Sequence, residues 1–370
     1  MTKRVRIGIL GLGFGAEFIP IYQAHPDAEL VAVGQRSETA LNEIADQFGI
    51  AGRYTSLEAM LDDPDIDAIH INTPIAEHAN QAVAALEAGK HVACTVPMAI
   101  SVEDCERVVR AQEASGKSYM MMETAVYTRE FLYARQLVES GQLGRIQFLR
   151  GAHVQEMAGW PAYWRDLAPM HYATHAIAPL LALAGREASS VRCVGSGRVN
   201  MNSSSVVPNF STESALFLLR DSDLAMEVTR SLFDVAREYV ESFNIYGDRM
   251  SYEWQQLERE NPVVFTGEEG ERIEVPDYAE LLPTEIRSFT TRGVYDADNQ
   301  HLSFIQGGGH GGSHPHLVNE FVSSIIEERA AFPDAYTAAN WTSAGICAHE
   351  SAVTGREIDL PVFRPAASLA

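Results

Sequence analysis

Two histidines four residues apart, His171 and His175, stand in the apolar stretch PMHYATHAIAPL of residues 169–180. Imidazole titrates near neutral pH, so these residues could transfer protons in catalysis, and a helical i, i+4 pair could also chelate zinc. The structural alternative is a pair of buried rings with satisfied nitrogens. Because no glutamate follows His171 and carboxylates are sparse nearby, the sequence favours proton transfer, and no metal site is expected.

The overall composition excludes several classes of protein. The 370 residues are 46% hydrophobic, which is enough for two domains, and their formal charge is −22. Because so acidic a surface repels phosphate groups, we expect neither a nucleic-acid nor a membrane partner. No run is long and apolar enough to span a bilayer. Four dispersed cysteines without a C-x-x-C pair are typical of reduced thiols, so we expect a cytoplasmic protein.

A glycine-rich turn follows the first apolar run, VRIGIL. Gly11, Gly13 and Ala16 fill the pattern G-x-G-x-x-[GA]. The first glycine permits a tight turn, the second lets the backbone approach a pyrophosphate, and the small third residue lets a helix pack on the strand. Strand and helix patterns then alternate up to YMMME. This rhythm predicts an α/β fold that begins with a Rossmann domain, a doubly wound parallel sheet, over residues 1–126.

The fingerprint predicts NAD or NADP as the cofactor. The second strand ends in Gln35, Arg36 and Ser37 instead of the acidic residue that usually binds the NAD ribose. Arg36 could bind the extra phosphate of NADP, or it could stack on adenine while Gln35 binds the ribose. Both alternatives stay open at this point, and with them the choice between the two nucleotides.

The predicted cofactor-binding residues lie in the fingerprint turn and at the carboxyl ends of later strands, which line the cofactor crevice of such sheets. For His78 the alternative is a helix-start residue that bonds local backbone, and for Glu123 it is a charged strand end in solvent. The predicted set is Gly11, Leu12, Gly13, Phe14, Gly15, Ala16, Gln35, Arg36, Ser37, Asn72, Thr73, Pro74, His78, Thr95, Val96, Pro97 and Glu123.

The pattern changes from residue 127. A helix is followed by extended segments whose turns carry Gly, Asp, Asn or Ser, and two helices close the chain. Residues 127–370 are therefore predicted to form an α+β domain for substrate binding and oligomerisation, with a large, mostly antiparallel sheet. Because helices cover one face only, the free face is expected to be apolar and to join chains in a homo-oligomer, a dimer or a tetramer.

This layout resembles the Gfo/Idh/MocA oxidoreductases over nearly the whole chain, from the fingerprint through NTPIAEHA and HVACTVPMAISVEDC to the sheet-rich second half. That family typically carries E-K-P where this chain has Thr95-Val96-Pro97, and D-x-x-x-H where it has His171 and His175. The resemblance implies a nicotinamide cofactor, a sugar substrate and His175 as an acid–base residue. Since Val96 replaces the usual lysine, a histidine must carry more of the proton transfer.

Further segments resemble one branch of that family, the NAD-dependent glycosidases of glycoside hydrolase family 109. They are the Val-Pro pair, YMMMET, the Y-x-T-H segment and GGGHGGSHPH. Two positions differ from that branch. Thr95 stands where the branch has a glutamate before Val-Pro, and His153 stands at about the position of its tyrosine on the first strand of the second domain. In such enzymes a retained NAD oxidises a sugar carbon transiently, the substituent is eliminated, water adds, and the hydride returns.

The sequence therefore predicts an NAD(P)-dependent oxidoreductase acting on a ring hydroxyl, at C3, of a sugar or glycoside. A redox-cycling glycosidase is one alternative. A non-catalytic dinucleotide or sugar sensor is another, which the missing lysine favours and the histidines oppose.

The predicted catalytic residues are mostly histidines. His171 and His175 are expected on one helix face, where His171 would relay the proton or bind a second hydroxyl. His310 lies among five glycines, which indicates either a loop that contacts substrate or a flexible connector. His314 and His316 are interpreted as helix-start residues. The predicted catalytic set is His175, His171, His310, His153 and Tyr163.

Overall fold

A computed structural model describes residues 4–161, 163–164, 167–199, 210–257, 260–291 and 310–365. The chain forms two compact units. The first contains Met1–Thr128, Asp277–Ala339 and Phe363–Ala370, and the second contains Arg129–Pro276 and Asn340–Val362. The sequence predicted one change of domain, after residue 126. The chain leaves the first unit at Thr128, close to that position, but it later returns to the first unit.

The first unit is built on a six-stranded parallel sheet in the order β3-β2-β1-β4-β5-β6. The strand order reverses its direction at β1 and β4, as in the doubly wound sheets that bind dinucleotides. This confirms the predicted fold of the N-terminal domain. The strands are β1 (Val5–Leu10), β2 (Ala28–Gly34), β3 (Gly52–Tyr54), β4 (Ala68–Ile71), β5 (His91–Thr95) and β6 (Tyr119–Met122).

The helices between these strands are capped by residues that commonly begin or end helices. The Ser101 hydroxyl accepts a hydrogen bond from the Asp104 amide, and Gly116 closes the same helix in the left-handed conformation. Short 3-10 turns cover Ala16–Phe18, Ile75–Glu77 and Thr124–Val126. The α-helices between β1 and β6 are α1 (Leu12–Gly15), α2 (Ile19–Ala24), α3 (Glu38–Phe48), α4 (Leu57–Leu61), α5 (His78–Glu87) and α6 (Val102–Ser115).

The second unit is built on a nine-stranded sheet in the order β14-β13-β12-β11-β7-β10-β9-β8-β15. Only β10 and β7 run parallel among the described pairs, so the prediction of a mostly antiparallel sheet is confirmed. The strands are β7 (Ile146–Gln155), β8 (Ala188–Ser196), β9 (Thr212–Leu219), β10 (Ala225–Ser231), β11 (Tyr239–Gly247), β12 (Ser251–Glu253), β13 (Val263–Phe265), β14 (Gly270–Arg272) and β15 (Ile358–Asp359).

The remaining helices are α7 (Arg129–Glu139), α8 (Thr174–Ala184), α9 (Ser313–Ile326) and α10 (Ala335–Thr354). The helix α8 lies very close to β7, because a Cβ at Gly151 would lie 2.4 Å from the carbonyl oxygen of Ala176. The helix α9 returns to the first unit, where Asn319 hydrogen-bonds to His25 after α2. Within the described ranges, no helix has the length and apolar character needed to cross a membrane.

Candidate active site

The fingerprint turn has the backbone that its glycines predict. Gly11 has a φ of +87°, and a Cβ there would lie 2.5 Å from the carbonyl oxygen of Asn72. A Cβ at Gly15 would lie 2.9 Å from Ile9, so this glycine lets the turn pack on β1. Around Gly13, by contrast, the described residues leave the Cβ position open to 4 Å. The open position fits the close approach of a pyrophosphate, so these residues suit a dinucleotide.

A hydrogen bond joins the end of β2 to the fingerprint turn. The Gln35 side-chain oxygen accepts a hydrogen bond from the Leu12 amide at 3.3 Å. Ser37 caps α3 by accepting a hydrogen bond from the Ala40 amide. Arg36 is exposed. Gln35 therefore orients the turn, while Arg36 has room to meet either an adenine or a phosphate.

His78 joins two strand ends of the same edge of the sheet. It is buried, with its ring nitrogens each 2.8 Å from a backbone carbonyl oxygen, one of Thr73 and one of Pro97. Burial lowers its pKa, so the imidazole is neutral and donates to one carbonyl at a time. The Thr95 hydroxyl donates to the carbonyl oxygen of Ile71. His78 therefore bonds to backbone, as the structural alternative stated, and its hydrogen bonds join the loop after β4 to the loop after β5.

Glu123 is fully buried at the end of β6, so its interpretation as a solvent-exposed strand end is wrong. One carboxyl oxygen accepts a hydrogen bond from the Ala125 amide at 3.0 Å and starts the 3-10 turn that follows. The carboxylate therefore shapes the chain at the carboxyl edge of the sheet.

In the second unit, the sheet register brings three charged or titratable residues into one row. His153 on β7 is the direct partner of Glu241 on β11 and of Arg230 on β10. Directly opposed side chains on neighbouring strands share a face. The first turn of α8 then adds His175, whose ring centroid lies 5.1 Å from that of His153.

Glu241 is the electrostatic centre of this histidine–glutamate cluster. One of its carboxyl oxygens lies 3.7 Å from His153 Nε2 and 3.8 Å from His175 Nε2, and it accepts a hydrogen bond from the Tyr239 hydroxyl. The Tyr172 hydroxyl lies 3.3 Å from His175 Nε2. Both imidazoles are buried. The carboxylate is therefore placed to stabilise the positive charge that either imidazole would acquire on accepting a proton.

Arg230 underlies the cluster with a fully buried guanidinium group. It donates to the backbone carbonyls of Tyr172 and His153, at 2.7 and 3.1 Å, and to the Gln155 side chain at 3.0 Å. Its guanidinium carbon lies 5.2 Å from the centroid of the Tyr172 ring. Burial lowers the pKa of Arg230 to about 10. The donors of Arg230 therefore fix the backbone that carries His153 and Tyr172.

An aromatic group adjoins the cluster. The Trp164 ring meets Tyr172 edge-on, with centroids 4.8 Å apart, and Tyr163 stacks on Trp164 at 5.4 Å. Tyr163 itself is exposed. Tyr163 therefore presents a ring and a hydroxyl at the outer end of this row of aromatic rings, features that suit contact with a sugar.

The prediction that His171 and His175 share one helix face is wrong. His171 belongs to a 3-10 turn, Pro169–Tyr172, and Ala173 leaves helical geometry before α8 begins at Thr174. The His171 ring packs against His349, at 4.7 Å between centroids. Burial, with a smaller effect of His349, lowers its pKa to about 4. The contacts described for His171 are packing contacts, and its predicted part in catalysis stays a prediction.

His310 lies in the first unit, immediately before α9. Its Nδ1 is 3.1 Å from His314 Nε2, and its ring meets Phe14 of the fingerprint turn edge-on. Gly307, Gly308 and Gly309 lie outside the described residues. His314 and His316 are both in the first turn of α9, as predicted, and both are buried. The substrate contact predicted for His310 stays a prediction.

Sequence reasoning missed Glu241 and Arg230. Both carry a recognisable signal, because each is in phase with the buried residues of its strand. Glu241 alternates with Phe243 and Ile245 on β11, and Arg230 with Val228 on β10. A charged side chain on the buried face of a strand needs partners, so this phase alone marks a polar cluster.

A Rossmann unit with an open glycine turn, together with an α+β unit that carries buried acid–base residues, defines a dinucleotide-dependent oxidoreductase. Two family models match the chain, "Oxidoreductase family, NAD-binding Rossmann fold" over residues 5–123 and "Oxidoreductase family, C-terminal alpha/beta domain" over residues 135–360. The chain belongs to the Gfo/Idh/MocA oxidoreductase family and is an NAD-binding member. The family, fold class and nicotinamide cofactor predicted from the sequence are confirmed.

Curated relatives match less than half of the chain. A 1-carboxy-3-chloro-3,4-dihydroxycyclohexa-1,5-diene dehydrogenase of Comamonas testosteroni is 31% identical over 164 residues, 44% of this chain and 41% of the relative. A glycosyl hydrolase family 109 protein of Shewanella baltica is 30% identical over 198 residues, 48% of this chain and 43% of the relative. The matched region thus spans under half the length of each relative.

Solved structures extend the likeness of fold to nearly the whole chain. A levoglucosan dehydrogenase in complex with NADH and levoglucosan superposes with a TM-score of 0.80 at 22% identity, covering 97% of this chain and 100% of that one. An apo scyllo-inositol dehydrogenase of Lactobacillus casei gives a TM-score of 0.73 at 20% identity, covering 97% and 99%. At this level of identity the likeness concerns the fold alone.

Proposed function

We propose that this protein oxidises a ring hydroxyl, at C3, of a sugar or glycoside, with NAD or NADP as the hydride acceptor. The observation that carries the proposal is the cluster of His175, His153 and Glu241. Oxidising a carbinol requires a base that takes the hydroxyl proton at neutral pH, and imidazole suits that task. The neighbouring dehydrogenases of sugars and polyols support the same substrate class.

In this proposal His175 accepts the hydroxyl proton. The Glu241 carboxylate, 3.8 Å from His175 Nε2, stabilises the imidazolium that forms. His153 lies at a similar distance from the same carboxylate and helps to position it, while the Tyr163 hydroxyl and ring orient the sugar. The bound nicotinamide supplies the hydride chemistry. Gly11, Gly13 and the loops held by His78 bind the dinucleotide.

A second candidate is a glycosidase that uses the cofactor in a closed redox cycle. Such a cycle needs two acid–base groups, one for the hydroxyl proton and one for the carbon acid next to it. Two imidazoles around one carboxylate satisfy this requirement, and the family 109 relatives support it. A non-catalytic sensor is the third candidate, and the replacement of the usual lysine by Val96 is the observation that favours it.

One set of assays separates the three functions. The purified chain is incubated with nitrophenyl glycosides without added nucleotide, and then with free sugars and either NAD or NADP. We expect stoichiometric NADH or NADPH with a free sugar or glycoside. Nitrophenol release without added nucleotide would instead establish the glycosidase. Tight nucleotide binding with neither product would contradict both enzymes and leave the sensor.

The dinucleotide itself is identified in the same preparation. Denatured protein releases any copurified nucleotide, which chromatography and mass spectrometry distinguish as NAD or NADP. An Arg36→Ala variant tests the role of Arg36. If NADP is the cofactor through a contact of Arg36 with its phosphate, this variant loses NADP affinity and keeps NAD affinity, whereas stacking on adenine would weaken both equally.

A further inference from the structure

We propose that Glu17, His310 and His314 bind a divalent metal ion of the zinc class within the first unit. Glu17 follows the fingerprint turn, and the two histidines stand almost three hundred residues later, before and within α9. One potential ligand atom from each of the three side chains lies within 4.8 Å of the others. We assign His310 to this site, and the proposal does not depend on the oxidoreductase function.

The three side chains are close enough for one ligand atom of each to converge on one small ion. His314 Nδ1 lies 3.4 Å from a Glu17 carboxyl oxygen, and the opposite nitrogen of the same ring, Nε2, lies 3.1 Å from His310 Nδ1. Only one of these two nitrogens can bind the ion, so the two imidazoles must turn toward Glu17. A tetrahedral zinc ion with bonds of about 2.0–2.2 Å holds its ligand atoms about 3.3–3.6 Å apart. Rotations of the two imidazoles that bring one nitrogen from each toward the Glu17 carboxylate therefore complete the site.

Glu17 has no other described means of compensating its charge. Its side chain has 0% exposure, and neither carboxyl oxygen accepts a hydrogen bond from any residue in the described part of the chain. A buried carboxylate without a donor or cation is strongly disfavoured. The His314 nitrogen that faces Glu17 also lacks a hydrogen bond among the described residues, although His314 is fully buried as well.

Two phenylalanines pack against the two histidines. Phe14 meets His310 and His314 edge-on, with centroids 5.8 and 5.7 Å away, and Phe18 lies 4.7 Å from His314. These rings give the two imidazoles an apolar surrounding of the kind that metal sites commonly have. Since His310 is only half-buried, an ion can enter from its side.

The ligand types decide the class of metal. Two imidazole nitrogens and one carboxylate oxygen suit zinc and its neighbours in the first transition row, whereas calcium and magnesium require more oxygen ligands. Three protein ligands leave a fourth position for water. The ion would join the fingerprint segment to α9, so its expected effect is to stabilise the first unit.

Metal binding is measured on the full chain after removal of metals with a chelator and dialysis. Zinc is titrated by calorimetry and counted per chain by mass spectrometry, and cobalt serves as a coloured probe of tetrahedral coordination. We expect one ion per wild-type chain and a thermal midpoint that rises with zinc. The Glu17→Gln and His314→Gln variants should lose both the stoichiometric uptake and the zinc-dependent shift.

A matched control is His316→Gln, which alters a buried histidine two residues further along α9 and should bind zinc as the wild type does. Should the buried substitutions prevent folding, as circular dichroism would show, the half-buried His310→Asn provides the ligand variant. The proposal is overturned if the wild-type chain takes up no stoichiometric ion, or if folded ligand variants bind zinc like the control.

Discussion

His171 and His175 are neighbours in sequence but face different partners. His175 meets Glu241 and Tyr172, whereas His171 packs on His349, whose ring in turn pairs with the buried Glu213 at 2.7 Å. The residue types alone could not distinguish them, because the break at Ala173 depends on how the 3-10 turn docks on the sheet. His153 was found from the family resemblance, and the register places it in the same cluster.

At the residue scale we predict the effect of His175→Asn. The amide keeps the size and a polar group but accepts no proton at neutral pH, so kcat should fall by about 10²–10⁴-fold. Nucleotide affinity should stay within error of the wild type, measured by fluorescence titration. His91→Gln, a substitution on β5 of the first unit, is the control and should retain turnover. A fully active His175→Asn enzyme would refute the assigned role.

The elements themselves were largely predictable, and their alignment was not. Apolar runs and glycine turns predicted the Rossmann strands, and the last of the two helices predicted to close the chain corresponds to α10 (Ala335–Thr354). The row of Glu241, His153 and Arg230 arises from three strands whose register is set by tertiary pairing. Alternation within one strand shows which residues share a face, but not which residues of a neighbouring strand they meet.

For the fingerprint element, two glycine substitutions should separate folding from binding. Gly11→Ala places a Cβ against Asn72 in a left-handed backbone, so it should lower the free energy of unfolding by about 1–3 kcal/mol. Gly13→Ala meets open space in the chain, so its thermal midpoint without nucleotide should match the wild type. Its NAD or NADP affinity should fall at least about tenfold, a loss of roughly 1.4 kcal/mol. Unchanged affinity would show that no phosphate approaches Gly13.

The exposed face of β8 and β9 yields a prediction about assembly. Val194, Leu216 and Leu218 are 67%, 57% and 53% exposed there, an apolar patch that suits contact with a second copy. We expect light scattering to show a dimer or tetramer, and Leu216→Glu with Leu218→Glu to shift it toward monomers. Leu257→Glu, also on an exposed leucine but after β12 near the other edge of the sheet, should not. A wild-type monomer would contradict the patch's role.

For the molecule as a whole, half-buried histidines predict a loss of stability in acid. Burial lowers the pKa values of His91 and His171 to about 4, below the value of about 6.5 expected in the unfolded chain. Between these limits the unfolded state binds protons that the folded state does not. The stabilisation is therefore complete above about pH 6.5 and is lost as the pH falls toward 4.

The His91→Gln variant tests whether the unfolding free energy falls with pH as predicted. The glutamine can accept the Ser118 hydrogen bond but does not titrate, so its unfolding free energy should fall less steeply below pH 6.5. The difference in slope should reach at most about 1.4 kcal/mol per pH unit. Urea unfolding at several pH values measures it. The other titrating groups contribute equally to the variant and the wild type, so their effects on the pH dependence of the unfolding free energy cancel in the comparison. Glu17 is one of them, and its raised pKa makes the folded state more stable as the pH falls. Equal slopes would show that His91 titrates alike in both states.

The return of the chain to the first unit has a consequence for biosynthesis. During translation, Thr128 is synthesised long before α9, which carries the buried Leu317, Val318, Phe321 and Val322. At about 5–20 residues per second, the roughly 185 intervening residues take on the order of 10–40 s to translate. During that interval the nascent Rossmann sheet lacks its last helix. Its apolar flank stays available to chaperones, and a fragment cut at residue 128 would carry that flank permanently.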